Sequence, residues 1–133
     1  MSPADAVVAF FHAVDDRDWA ALRAGFSDDL DIDYSSLFGG GPERLTADAL
    51  IERWQGLLPG FDATQHFLGP LLVTGDRVEC NVRAYHHLGG RTWMVAGRYT
   101  LALDGTRISG IVLHTKYEDG DRALTEEAAK RAG

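Results

Sequence analysis

The sequence predicts an α+β fold, with helices packed on one face of a curved, mostly antiparallel sheet. Three observations carry that prediction. Apolar residues recur at helical spacing only as far as Leu58. From about residue 64 to residue 117 the pattern alternates as strands do. Two glycine-bearing turns, Gly89-Gly90 and Asp104-Gly105, fold this second half back on itself as hairpins.

Taken in order, Ser2 caps a first helix that has Pro3 at its first position. Val7, Phe10, Phe11 and Val14 form its apolar stripe. The run Asp15-Asp16-Arg17-Asp18 interrupts the stripe, and Asp18 caps a second short helix carrying Trp19, Leu22 and Phe26. Leu30, Ile32 and Tyr34 alternate with Asp31 and Asp33, a strand signature. Gly39-Gly40-Gly41-Pro42 must be a loop, and no Lys-Ser/Thr follows to make it a phosphate cradle. Thr46 caps a third helix with Leu50, Ile51, Trp54, Leu57 and Leu58 on one face, ended by Pro59-Gly60. After the strand around His66, further strands are expected at 71–74, 77–87, 92–103 and 107–117. Residues 125–131 suggest a short, mostly exposed helix or tail. The whole chain, 1–133, therefore reads as a single domain with its core at about 3–117 and a tail or short helix over 118–133.

Composition narrows the function classes. With 45% hydrophobic and 25% charged residues, the chain is an ordinary soluble globular sequence. Its net charge of −7, and the lack of a basic cluster beyond Lys130-Arg131, argue against nucleic acid and membrane surfaces as partners. No apolar run approaches membrane-spanning length, and Met1-Ser2-Pro3-Ala4-Asp5 lacks the basic start of a leader. A lone Cys80 excludes an internal disulfide and fits a reducing, cytoplasmic setting. Its place in an apolar strand row makes it a structural thiol rather than a nucleophile.

Five histidines remain to be sorted. In a strand through Thr64-Gln65-His66-Phe67, Thr64, His66 and Leu68 share one face and Ala63, Gln65 and Phe67 the other. If the first face looks into a cavity, His66 can do chemistry there. His86 continues the apolar row Val78, Cys80, Val82 and Ala84 and should point inward, whereas His87 should point outward. Each is equally compatible with a hydrogen-bonded core histidine, but two inward histidines favour a pocket. His114 is a weaker candidate, and His12 on the first helix belongs to the surface. No spacing of metal-ligating residues occurs, so no metal site is expected. Asp15 ends the first apolar helix as either a turn carboxylate or a site acid, and Tyr34 continues an inward row, so its hydroxyl needs a partner or a pocket.

The blocks Val14-Asp15-Asp16-Arg17-Asp18-Trp19 with Leu22-Arg23, Ile32-Asp33-Tyr34 and Thr64-Gln65-His66-Phe67 resemble the SnoaL-like domains of the nuclear transport factor 2-like superfamily, and most of all the scytalone dehydratases and their bacterial relatives. The resemblance extends to about Tyr117. It implies a cone-shaped α+β fold around a deep pocket and cofactor-free acid–base chemistry. Asp15 falls on the family's pocket aspartate, Tyr34 on a carbonyl-side tyrosine, His66 on one catalytic histidine and His86, by strand parity, on the other. Val14 replaces a second pocket tyrosine, while Met94 and Ala96 stand where the family has polar substrate-binding side chains. The expected substrate-binding lining is therefore apolar: Val14, Trp54, Phe67, Met94, Ala96 and Val112.

These expectations describe a cofactor-independent dehydratase or isomerase acting on a hydrophobic, cyclic hydroxy-carbonyl compound. An ordinary imidazole titrates at about 6.5, so a placed histidine can both take and return a proton. In this scheme His66 or His86 is the base, Asp15 orients the other imidazole (a contact with His86 is expected), and Tyr34 steadies the enolate oxygen. A polyketide cyclase using the same pocket is one rival; a non-catalytic binding or assembly module is another. Trp93, Val95, Tyr99 and Leu101 are expected on an outward strand face, too apolar to stay wet, which either packs under the helices or forms an oligomer interface. The resemblance implies homo-oligomers, dimeric or trimeric.

Overall fold

The computed structural model describes residues 1–133. Helix α1 (Pro3–Asp16) starts on a capping box: the Asp5 N–H donates to Ser2 Oγ at 3.1 Å and the Ser2 N–H to the Asp5 carboxylate at 3.3 Å. Its buried stripe is the predicted one, joined by Ala6 and Ala13. The helix stops at Arg17, left-handed at φ 54°, whose Nη2 donates to the carbonyls of Leu58 (2.9 Å) and Phe61 (2.6 Å). The end of α1 is thereby clamped to the chain entering the sheet.

Asp18 caps α2 (Trp19–Gly25), which passes directly into β1 (Phe26–Asp33). Phe26 thus opens a strand instead of closing the helix, because its extended backbone already belongs to the ladder with β7. A short α3 (Ser35–Phe38) and the glycine loop lead to β2 (Glu43–Thr46), an edge strand that pairs with β1. One apolar residue in four gave β2 no alternation to read. Thr46 caps α4 (Ala47–Gln55), and a 3₁₀ turn over Leu58–Gly60 precedes β3 (Ala63–Leu68). Strands β4 (Leu72–Thr74), β5 (Arg77–Leu88), β6 (Arg91–Asp104) and β7 (Arg107–Gly120) follow. The sheet order is β2-β1-β7-β6-β5-β3, with β4 also beside β5 and β1 parallel to β7.

The Gly89-Gly90 turn pairs Leu88 with Arg91 and so sets the register of β5 on β6: His86 faces Trp93, Ala84 faces Val95, and Cys80 faces Tyr99. The inward row of β5 is buried as predicted, so Trp93, Val95, Tyr99 and Leu101 are inward as well, not outward as expected, because residues directly opposed across the hairpin share a face. That apolar face is covered by the helices within the chain and supplies no oligomer interface.

The C-terminal segment takes the helical of its two expected forms, and it is docked on the body of the fold. It forms α5 (Leu124–Ala132), with Leu124 and Ala128 completely buried. The helix lies so close to the 3₁₀ turn that a Cβ on Gly60 would sit 1.8 Å from the Ala128 carbonyl oxygen. Ion pairs Arg91–Glu127 (2.5 Å) and Arg131–Asp62 (3.1 Å) flank this contact. Such exposed pairs are screened by solvent and contribute little, so the docking rests on the buried residues. No helix is long and apolar enough to cross a membrane.

Candidate active site

The inner face of the sheet and the helices enclose a cavity of about 490 Å³, and 18 of its 25 lining residues are apolar. Its occupant must therefore be largely apolar, held by a few polar groups. His66, His86, Tyr34, Tyr99, Ser35, Glu43 and Arg53 supply such groups.

Asp15 lies in the last turn of α1, where the helix dipole opposes a negative charge. Three donors compensate. His66 Nδ1 donates to Oδ1 at 2.7 Å, the His66 backbone N–H to Oδ2 at 2.7 Å, and Thr64 Oγ1 to Oδ1 at 3.1 Å. Burial works to raise the carboxyl, but the bonds and charge of His66, with Thr64, outweigh it and hold Asp15 below its ordinary range. Asp15 is thus an anion fixed under one imidazole.

A carboxylate can only accept, so the neutral form of His66 carries its ring proton on Nδ1 and its lone pair on Nε2. Nε2 has no protein partner and is not sealed off, and the ring lines the cavity against Phe11, with centroids 5.1 Å apart. This is the arrangement of a general base oriented by an acid.

His86 is placed differently. Its Nδ1 donates to the Trp93 carbonyl at 3.1 Å, and its ring is flanked by Trp93 (4.4 Å) and Phe61 (5.1 Å). The two imidazole centroids are 6.4 Å apart. Burial, and then the charge of His66, push His86 down to about 4, against the opposing pull of the Trp93 carbonyl. The expected Asp15–His86 contact does not form. The Arg17 clamp lays β3 under Asp15, whereas His86 sits one strand farther in, opposite Thr64. His86 is neutral at physiological pH, with its lone pair on Nε2, and is not a proton-delivering cation.

A stability test follows. An unfolded histidine binds its proton near pH 6.5, whereas folded His86 resists protonation until about pH 4. The unfolded state therefore gains protons first, so stability falls as pH drops from about 6.5 to about 4. The loss reaches roughly 3 kcal/mol below that window. Urea melts at pH 7 and pH 4.5 should show the loss in the wild type and a much smaller one in His86→Phe. Equal acid sensitivity would contradict the assignment. Asp15 contributes in a lower window, since its stabilisation is lost only as pH falls below the ordinary aspartate range.

Tyr34 and Tyr99 meet edge to face, with centroids 6.3 Å apart. Burial pushes the Tyr34 hydroxyl up to about 12, with the adjacent Tyr99 hydroxyl working the other way. Tyr34 is thus a neutral donor over any physiological range. Cys80 is pushed up to about 11 by burial and remains an inert thiol.

Of the expected lining, Val14 and Trp54 border the cavity. Phe67 does not: it alternates with His66 and lies 66% exposed on the outer face. Met94 and Ala96 are buried, but on the outer face, because the hairpin register turns Trp93 and Val95 inward instead. Val112 pairs with Thr100 on that same outer face. His114, His87 and His12 are exposed. Sequence reasoning missed Tyr99 and Trp93 as cavity residues, although the two-residue turn at Gly89-Gly90 fixes the parity that would have found them.

Comparison with known proteins adds the family. The SnoaL-like domain profile matches residues 4–107. A crystal structure of a protein from Kribbella flavida is similar at 22% identity and TM-score 0.76, covering 98% of this chain and 93% of that one. A protein from Novosphingobium aromaticivorans, provisionally identified as a scytalone dehydratase, is similar at 20% identity and TM-score 0.68, covering 90% and 85%. IdmH of Streptomyces antibioticus, a candidate polyketide cyclase, is similar at 16% identity and TM-score 0.71, covering 98% and 99%. No curated protein matches significantly. At these identities the solved structures establish the fold, a curved-sheet cone, and nothing more specific.

Proposed function

The chain belongs to the SnoaL-like domain family, and from that premise we propose that it is a cofactor-independent lyase or isomerase acting on a hydrophobic, cyclic hydroxy-carbonyl compound. The observation that carries the reading is the 2.7 Å bond between Asp15 and His66 Nδ1, which leaves Nε2 as a base in an apolar cavity.

The steps balance without a cofactor. His66 Nε2 takes a proton α to the ligand carbonyl, and the C–H electrons move to the carbonyl oxygen as an enolate. Tyr34 donates to that oxygen, and Asp15 stabilises the imidazolium. When the carbonyl re-forms, the β C–O bond breaks, and the His66 imidazolium protonates the departing hydroxyl as water. Returning the proton to another carbon instead gives isomerisation. His86, neutral and accepting through Nε2, holds a ligand hydroxyl in place.

Assays with bicyclic β-hydroxy ketones test this directly. Loss of water from 3-hydroxy-1-tetralone yields 1-naphthol, whose absorbance reports turnover. Tyr34→Phe removes one enolate donor and should lower kcat by about 10²-fold with little change in KM. A change confined to KM would mean that Tyr34 binds the ground state only.

The size of the cavity supports a second reading, a polyketide cyclase, because about 490 Å³ has room for a substrate with a second carbonyl. The same enolate would then form a carbon–carbon bond, and product analysis separates the two. Binding without turnover of any such compound would instead make the chain a ligand-binding module.

A further inference from the structure

Arg53 is the only Lys or Arg among the residues that line the cavity, and the mechanism above does not use it. It projects from α4, half-exposed, together with Glu43 of β2. The two form a paired fork: Arg53 Nη1 donates to Glu43 Oε1 and Nη2 to Oε2, each at 3.1 Å. A guanidinium has five N–H donors and two bidentate edges. Glu43 takes the end edge. The side edge, Nε with the second Nη2 proton, has no acceptor anywhere in the chain.

The lining of the cavity therefore carries two distinct sets of polar groups. One set is the acid–base group around His66. The other is a guanidinium held in place by its first carboxylate and still able to take a second. We propose that Arg53 is a specificity residue, and that the ligand is an apolar compound that carries a carboxylate in addition to its hydroxy-carbonyl group. The inference rests on reading the cavity as a substrate site, and it adds the charge of that substrate. Glu43 plays two opposing parts. It orients the guanidinium, and it partly neutralises the charge that draws the ligand.

Titration calorimetry at pH 7 with 6-hydroxy-2-naphthoate and its uncharged primary amide tests the proposal without requiring turnover. The carboxylate should bind about five-fold more tightly than the amide, the value of one half-exposed ionic contact. Arg53→Met should erase the preference, and Glu43→Gln should widen it. Both variants break the same ion pair, so a merely structural role would shift them together, whereas a recognition role drives them apart. Equal binding of the two probes by the wild type, parallel behaviour of the two variants, or no binding of either probe would overturn the proposal. His66→Gln separates it from the catalytic reading. That variant should lose turnover yet keep the carboxylate preference, and a wild type that shows the preference without turnover would refute the catalytic reading alone.

Discussion

Replacing His66 with glutamine is expected to lower kcat for a bicyclic β-hydroxy ketone by about 10³-fold, the middle of the range for losing a positioned general base. The fold should persist, because glutamine can still donate to Asp15 and the ring contributes only part of the packing on Phe11. Asp15→Asn should come close to the same loss by a different route. An asparagine amide can donate to Nδ1, which draws the imidazole into the other tautomer and places the proton on Nε2, where the lone pair is needed. Activity should fall while His66 stays in place. Thermal melts within a few degrees of the wild type, alongside both losses, would tie the effect to chemistry. A His66→Gln protein that keeps a tenth or more of its activity would remove His66 from the reaction.

Most of the fold, and half of the site, could be read in the residues themselves. The cap and stripe of α1, the parity of His66 and the inward row ending at His86 all follow from local periodicity, and each is where that periodicity puts it. The partner of Asp15 is a different kind of question. It depends on which strand runs beneath the end of α1, and Arg17 decides that by reaching across to the carbonyls of Leu58 and Phe61. Nothing in the spacing of residues 15, 66 and 86 encodes that clamp. Met94 and Ala96 were misplaced for a more avoidable reason. Assigning them by likeness ignored the turn at Gly89-Gly90, whose two residues force Trp93 and Val95 onto the face that His86 occupies.

The C-terminal segment was legible as a short, mostly exposed helix or tail, but its docking was not, since only two of the nine helical residues are buried. Its docking depends on Gly60, and the second large effect is expected there. A β-carbon on residue 60 would run into the backbone of Ala128, and backbone cannot rotate away as a side chain can. Gly60→Ala should therefore lift α5 off the 3₁₀ turn and cost about 3 kcal/mol, the upper end for forcing an atom into a packed contact. For a chain of this size that corresponds to a fall in Tm of roughly 10 °C. Leu124→Ala, which empties a fully buried site on the same helix, should cost about 2–5 kcal/mol. If both act by releasing α5, the double variant should lose much less than the sum of the two, because a helix already undocked has no packing left at Leu124 to lose. Ala129 lines the cavity, so ligand affinity should fall in step with docking. Additive losses, or a Gly60→Ala protein melting within about 2 °C of the wild type, would show that α5 does not depend on this contact.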